Sequence, residues 1–248
     1  MNVSIPKSLI LAGLALSGAA FAQTAAPAAP APDYTLSYNA GVVTDYRYRG
    51  LTQSRQQAAV QGGIDFVHSS GFYVGTWATT IKWIKDGGGD APVEIDFYGG
   101  YKGTAGAIGY DVGVLRYQYP GHDLVNSPNT TELYGAVTYS MFTLKYSHAI
   151  SDLFGFDDSK NSYYVDLSAA FDLGNGWSLT PHIGYQKVKV DGDYSYTDYS
   201  LTLGKDLGSG WSASAALIGT DANKANYRTI NDKFAGKTTV VVGIKYAF

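Results

Sequence analysis

The chain has 248 residues, with 18 Lys and Arg against 21 Asp and Glu, a formal charge of −3 and no cysteine. This excludes a disulfide-stapled fold and leaves no basic surface for a nucleic-acid partner. Apolar residues make up 45% and charged residues only 16%, against about 25% charged in an ordinary soluble domain. One large all-β domain fits the length, and the shortage of charge needs a physical reason.

Residues 1–22 place Lys7 ahead of an apolar run from Leu9 to Ala19 and end in Ala20-Phe21-Ala22. That is the pattern of a signal peptide cut after Ala22. The run is too short to span a bilayer, and no cysteine follows the cut, so a lipoprotein anchor is not expected. Residues 23–33 are rich in Ala and Pro and read as an extended tether, because proline fixes φ and removes a donor. No later run of 18 apolar residues occurs, so no transmembrane helix is expected.

From Tyr34 onward the pattern is period two. Val93, Ile95, Phe97, Gly99 and Tyr101 alternate with Glu94, Asp96, Tyr98, Gly100 and Lys102, and successive side chains on a strand point to opposite faces. Further along, Tyr163, Val165, Leu167 and Phe171 oppose Tyr164, Asp166, Ser168 and Asp172, and Tyr199, Leu201 and Leu203 oppose Asp198, Ser200 and Thr202. At the end Val240, Val242, Ile244, Tyr246 and Phe248 share a face against Thr239, Gly243, Lys245 and Ala247. Residues 72–83 carry apolar groups on both faces. Pro181 falls within a strand where it cannot donate to a ladder, so a bulge or local gap is expected there.

Tight turns are expected near Ser70, Thr104, Ser140, Asn175 and Ser209, at separations of 34, 36, 35 and 34 residues. Between them lie longer polar stretches at residues 47–57, 84–91, 120–129, 151–161, 190–195 and 221–236. Short turns therefore alternate with long loops, which gives twelve strands with both termini on the short-turn side. The repeat is visible in the letters as DLGNGW from Asp172 and DLGSGW from Asp206.

A soluble sandwich also alternates, but its strands are usually about 5 or 6 residues. Strands of about 10 to 13 residues cross a tilted apolar band roughly 25 Å tall. Trp177 and Trp211 follow Gly-x-Gly turns, and tyrosines gather toward strand ends, as expected where amphipathic rings meet lipid headgroups. In hydrocarbon every backbone group must be paired internally, so the sheet has no edge. The expected fold is an all-β transmembrane antiparallel up-and-down barrel over residues 34–248, in the bacterial outer membrane. Its lipid face cannot carry charge, and this accounts for the composition.

Twelve strands close to a backbone cylinder of roughly 12 Å radius, and side chains reaching about 5 to 6 Å inward leave room for ions and small solutes. By parity the interior takes Asp65, Glu94, Asp96, Asp111, Glu132, Asp166, Asp172, Asp198 and Asp206, with Lys102, Lys145, Lys245 and His182. Carboxylate rings lower the energy of a cation, so a weak cation preference is expected, unless the inward charges pair among themselves. Arg47, Arg49 and Arg55 fall at the long-loop end of the first strand, where they would form a constriction at the pore mouth or bind lipopolysaccharide phosphates.

A barrel-embedded lipid hydrolase is another reading, since folding about Asn175 sets Ser168 opposite His182 with Asp166 nearby. His68, His122 and His148 have no metal or triad spacing. The segments Asp86–Asp90 and Asp157–Asn161 lack the spacing of a calcium loop. No catalytic, cofactor or metal residues are assigned. A plugged structural or adhesive barrel remains a third reading, and oligomeric state is left open.

The terminal VVVGIKYAF resembles the last strand of bacterial outer-membrane proteins, which implies that Phe248 is read by the barrel-assembly machinery. The blocks NAGVVTDYRYRGLTQS, AVQGGIDFVHSSGFYVGTW, EIDFYGGYKG, DVGVLRYQYPG and LKYSHAISDLFG, over residues 39–156, resemble the TorF family of porin-like proteins. That resemblance implies an outer-membrane channel among lipids and lipopolysaccharide, passing ions or small solutes. It names no substrate.

Overall fold

The computed structural model describes residues 32–248, so the expected signal peptide and all but the end of the tether lie outside the described residues. Twelve antiparallel strands follow one another around a closed wall: β1 (Tyr34–Val43), β2 (Ala59–His68), β3 (Phe72–Thr80), β4 (Val93–Ala105), β5 (Ile108–Gln118) and β6 (Thr130–Tyr139). The circuit continues through β7 (Phe142–Ala149), β8 (Tyr163–Ala169, resumed at Phe171–Gly174), β9 (Trp177–Lys187), β10 (Tyr196–Gly208), β11 (Trp211–Thr220) and β12 (Thr239–Ala247). Each strand pairs with its sequence neighbours, and β12 closes on β1 through Asn39↔Ala247 to Val43↔Gly243. Tyr38 and Phe248 add a reciprocal pair of backbone hydrogen bonds of 3.0 Å at that seam. No edge is left open, as the bilayer demands.

The register fixes which side chains face out. Leu36, Val42, Val60, Ile64, Val74, Phe97, Val112, Leu133, Leu144, Leu201, Leu217 and Val242 are all exposed, and all share the outward parity. An exposed apolar surface on this scale marks a lipid face. Trp177 and Trp211 also point outward beside their turns, and Lys205 lies over the Trp177 ring at 5.0 Å, as expected at a headgroup boundary. Among the described residues no helix is long and apolar enough to cross a membrane.

Turns of two or three residues join β2–β3, β4–β5, β6–β7, β8–β9 and β10–β11, while loops of 8 to 18 residues fill the opposite end. Ser70, Ser140, Asn175 and Ser209 lie in the short turns. Thr104 does not: β4 runs on to Ala105 and turns at Gly106. The two DLG-x-GW repeats are one device. In each, the aspartate (Asp172 or Asp206) accepts from the backbone N–H of Gly174 or Gly208 at 2.8 Å, and a register shift follows. Asn175-Gly176 and Ser209-Gly210 then take φ of 52° and 75°, and 52° and 84°, the left-handed pair that a two-residue hairpin requires.

Pro181 produces the expected gap on one side only. β9 and β10 stay in register through Pro181↔Leu201, whereas β8 breaks at Ala170, beside the position that faces the proline. The Ala170 N–H is satisfied by Met141 O at 2.9 Å.

A candidate pore with an inward-folded loop

The loop from Thr44 to Ala58 does not stand above the barrel. It folds into the extracellular half, where Arg47–Tyr48 pairs with Leu51–Thr52 as a small inner hairpin. Its tip is Arg49-Gly50, with φ of 45° and 79°, and a Cβ on Gly50 would collide with Thr220 and Asp198 on the barrel wall. Only glycine lets the tip press so close to β10 and β11. Asp45 is buried and accepts from Arg47 Nε at 2.8 Å and from the Thr52 hydroxyl. Arg47 Nη1 also donates to Gly50 O and Lys237 O, both at 2.9 Å, which ties this loop to the last long loop.

Arg49 reaches the far wall. Its Nη2 donates to both Glu132 oxygens at 2.9 and 2.7 Å and its Nη1 to Gln186 Oε1 at 2.5 Å. The guanidinium lies over the rings of Tyr48 and Tyr164 at 4.7 and 4.3 Å. Bidentate carboxylate pairing and ring stacking are the contacts in which arginine exceeds lysine. Arg55 bridges to Asp86 in the short helix α1 (Trp83–Asp86) of the second long loop. Of the two roles expected for the three arginines, Arg47 and Arg49 sit as a constriction would, buried inside the loop end of the barrel, and their guanidinium groups are occupied by Asp45, Glu132, the Gln186 side chain and backbone carbonyls.

A hydrophobic core forms beneath the loops from Val43, Tyr46, Ile81, Ile84, Leu115, Tyr117 and Tyr119, with Trp77 and Trp83 packed against it. The expectation that tyrosines gather at the lipid boundary holds for Tyr34, Tyr139, Tyr185 and Tyr199, which are exposed toward strand ends, but a second set turns inward. Tyr46, Tyr48, Tyr73, Tyr98, Tyr117, Tyr119, Tyr134, Tyr164 and Tyr196 point into the interior, and the hydroxyls of Tyr46, Tyr73, Tyr98, Tyr117, Tyr119 and Tyr164 donate to carboxylates there. Tyr46 and Tyr119 each donate to Glu94 at 2.6 Å. Burial, then the Glu94 charge, holds both phenols well above their usual range, so they remain donors.

The register points Asp65, Glu94, Asp96, Lys102, Asp111, Glu132, Lys145, Asp166, His182 and Asp198 inward. Toward the turn end, Tyr98 donates to Asp65 at 2.5 Å and Tyr73 to Asp111 at 2.6 Å. Lys102 and Lys145 lie over Tyr73 and Tyr134 at 5.4 and 4.3 Å. Tyr164 donates to Asp198 at 2.8 Å. Asp172 and Asp206 serve the exposed turns instead.

Counting Asp45, Asp65, Glu94, Asp96, Asp111, Glu132, Asp166 and Asp198 against Arg47, Arg49, Lys102, Lys145 and Lys245, the interior has three more acidic than basic side chains. Ser168 does stand opposite His182 across β8 and β9, but they form no hydrogen bond. His182 engages Tyr164 at 3.1 Å and lies 3.6 Å from Asp198. The nucleophile–base contact that hydrolysis requires is not assembled.

The family model described as "Bacterial protein of unknown function (Gcw_chp)" matches residues 26–248, and the chain belongs to that family. No curated protein matches it in sequence. Among solved structures it resembles the KdgM porin with a TM-score of 0.53 at 9% identity, over 86% of this chain and 98% of that one. The NanC porin gives 0.52 at 10%, over 86% and 99%. A KdgM porin in complex with disordered oligogalacturonate gives 0.52 at 8%, over 86% and 98%. At such identity the likeness is one of fold, and that fold is the porin-type barrel of the bacterial outer membrane. These matches carry the barrel part of the expected resemblance and not its TorF assignment.

Proposed function

We propose that this Gcw_chp barrel is an outer-membrane channel for small ions and solutes with a preference for cations, its extracellular half narrowed by the inward loop. The observation that carries the reading is the acidic excess inside a wall whose outward face keeps its few basic groups, Arg116, Lys187 and Lys205, near the strand ends. A charge on a barrel's inner wall is retained at a cost in desolvation, and an unbalanced set of carboxylates lowers the energy of a passing cation. An anionic chain such as the oligogalacturonate of the KdgM complex would meet the wrong sign of field here. The TorF-type porin reading of the sequence is compatible with this proposal and adds no solute to it.

A second reading, a closed structural barrel, is favoured by the density of the plug, in which Ile84 and Ala91 are completely buried. Reconstitution of the purified protein in planar bilayers separates the two. Discrete current steps in potassium chloride support the channel, and a barrel that inserts without current supports the closed form.

A further inference from the structure

Glu94 and Asp96 occupy consecutive inward positions of β4. In register they face Thr79 and Trp77 of β3, and Asp96 faces Tyr117 of β5 on the other side. Asp96 has no solvent exposure at all. The hydroxyl and guanidinium donors named around this cluster are committed elsewhere: Tyr46 and Tyr119 to Glu94, Tyr48 to Tyr117 at 2.9 Å, Tyr117 to Glu132 at 3.3 Å, and Arg49 to Glu132 and Gln186. Both Asp96 carboxylate oxygens, and the hydroxyl oxygen of Thr79, are buried without a hydrogen-bond partner. The one guanidinium in contact with the cluster is taken by Glu132, which leaves Glu94 and Asp96 without a countercharge. A carboxylate out of water with neither donor nor countercharge is not sustained.

We propose that the Asp96 carboxylate and the Thr79 hydroxyl hold a small monovalent metal cation, sodium or potassium, as an inner station beneath the loop. This inference rests on the cation-channel reading and names where in the barrel the ion pauses. Among the described residues no group of three or more His, Asp or Glu side chains is arranged to cage a metal. One free carboxylate with a neutral oxygen donor suits a singly charged ion that must also leave.

The test is crystallography of the wild-type barrel grown with rubidium chloride replacing sodium and potassium salts. An anomalous peak in contact with the Asp96 carboxylate, lost in Asp96→Asn and weakened in Thr79→Val, supports the station. A wild-type map without rubidium there, or with the Asp96 and Glu94 carboxyl groups paired through a shared proton, overturns it. Conductance against potassium activity is the second measurement: the wild type saturates, and Asp96→Asn shifts or abolishes the saturation. Cation current with neither rubidium at Asp96 nor an effect of Asp96→Asn refutes the station and leaves the channel reading standing. Rubidium at Asp96 in a barrel that passes no current supports the site and refutes the channel.

Discussion

Arg49→Ala is the sharpest perturbation available, because one side chain fastens the inner hairpin to three separate strands of the wall. The wild-type guanidinium makes two hydrogen bonds to Glu132 and one to Gln186 and stacks on two tyrosines, with side-chain exposures of 6% for Arg49 and 2% for Glu132. Removing one partner of a buried ion pair costs about 3 to 5 kcal/mol, chiefly because the other charge is stranded. At about 1.4 kcal/mol per tenfold, a cost near 4 kcal/mol shifts the ratio of docked to released hairpin by roughly a thousandfold. Arg47 still anchors the hairpin base, so the expected result is a barrel that remains folded while its loop opens. The temperature at which the heat-modifiable band is lost should fall, and single-channel records should show larger or longer open levels. Glu132→Gln combined with Arg49→Ala should recover part of the stability, since no carboxylate is then orphaned, and Arg49→Lys should not. The exposed Arg228–Asp232 pair, at 43% and 84% side-chain exposure, is the control, because such pairs contribute at most about 1 kcal/mol. If Arg49→Ala melts and conducts as the wild type does, and the double-mutant cycle is additive, the latch does not exist.

Neighbouring positions on β10 should separate lipid face from interior. Leu201→Arg, on the outward parity near mid-strand, should destabilise the barrel by about 2 to 4 kcal/mol, whereas Ser200→Arg should leave it folded and shift its reversal potential toward anions. Tyr46→Phe removes one of two donors to the buried Glu94 and should lower stability by about 1.5 to 3 kcal/mol, with Tyr119→Phe similar and the double substitution worse. At the seam, deleting Phe248 removes both backbone bonds to Tyr38 and the ring stacked on Tyr38 at 5.7 Å. Deletion should therefore reduce the folded fraction on gels more than Phe248→Ala, which keeps the backbone pair.

The wall of the molecule is legible in its letters, because the lipid imposes a strict parity. The alternation of Val93, Ile95 and Phe97 with Glu94 and Asp96 predicts the face of every one of those residues, and the DLG-x-GW repeat marks two identical turns. Pro181 also announced its gap, although the break falls in the neighbouring strand β8, which loses the donor, and not in β9, which keeps its register. The contents of the barrel are hidden for a different reason. Whether Arg49 meets a lipid phosphate or Glu132, 83 residues away, depends on contacts that no local period encodes. The left-handed Arg49-Gly50 tip was the available signal, as a short Tyr-Arg-Gly-Leu stretch suited to a tight hairpin inside an otherwise polar loop. The tyrosines were half legible in the same way: Tyr34, Tyr139, Tyr185 and Tyr199 do lie outward toward strand ends, but parity sends Tyr98, Tyr117 and Tyr164 inward, where their hydroxyls satisfy Asp65, Glu132 and Asp198.

The reversal potential of the reconstituted wild-type protein across a tenfold potassium chloride gradient bears most directly on the whole account. An interior with three surplus carboxylates predicts a potential displaced toward the potassium equilibrium value and reduced when Asp166 or Asp198 is replaced by asparagine. A potential at zero or on the chloride side, from channels that demonstrably insert, would contradict it.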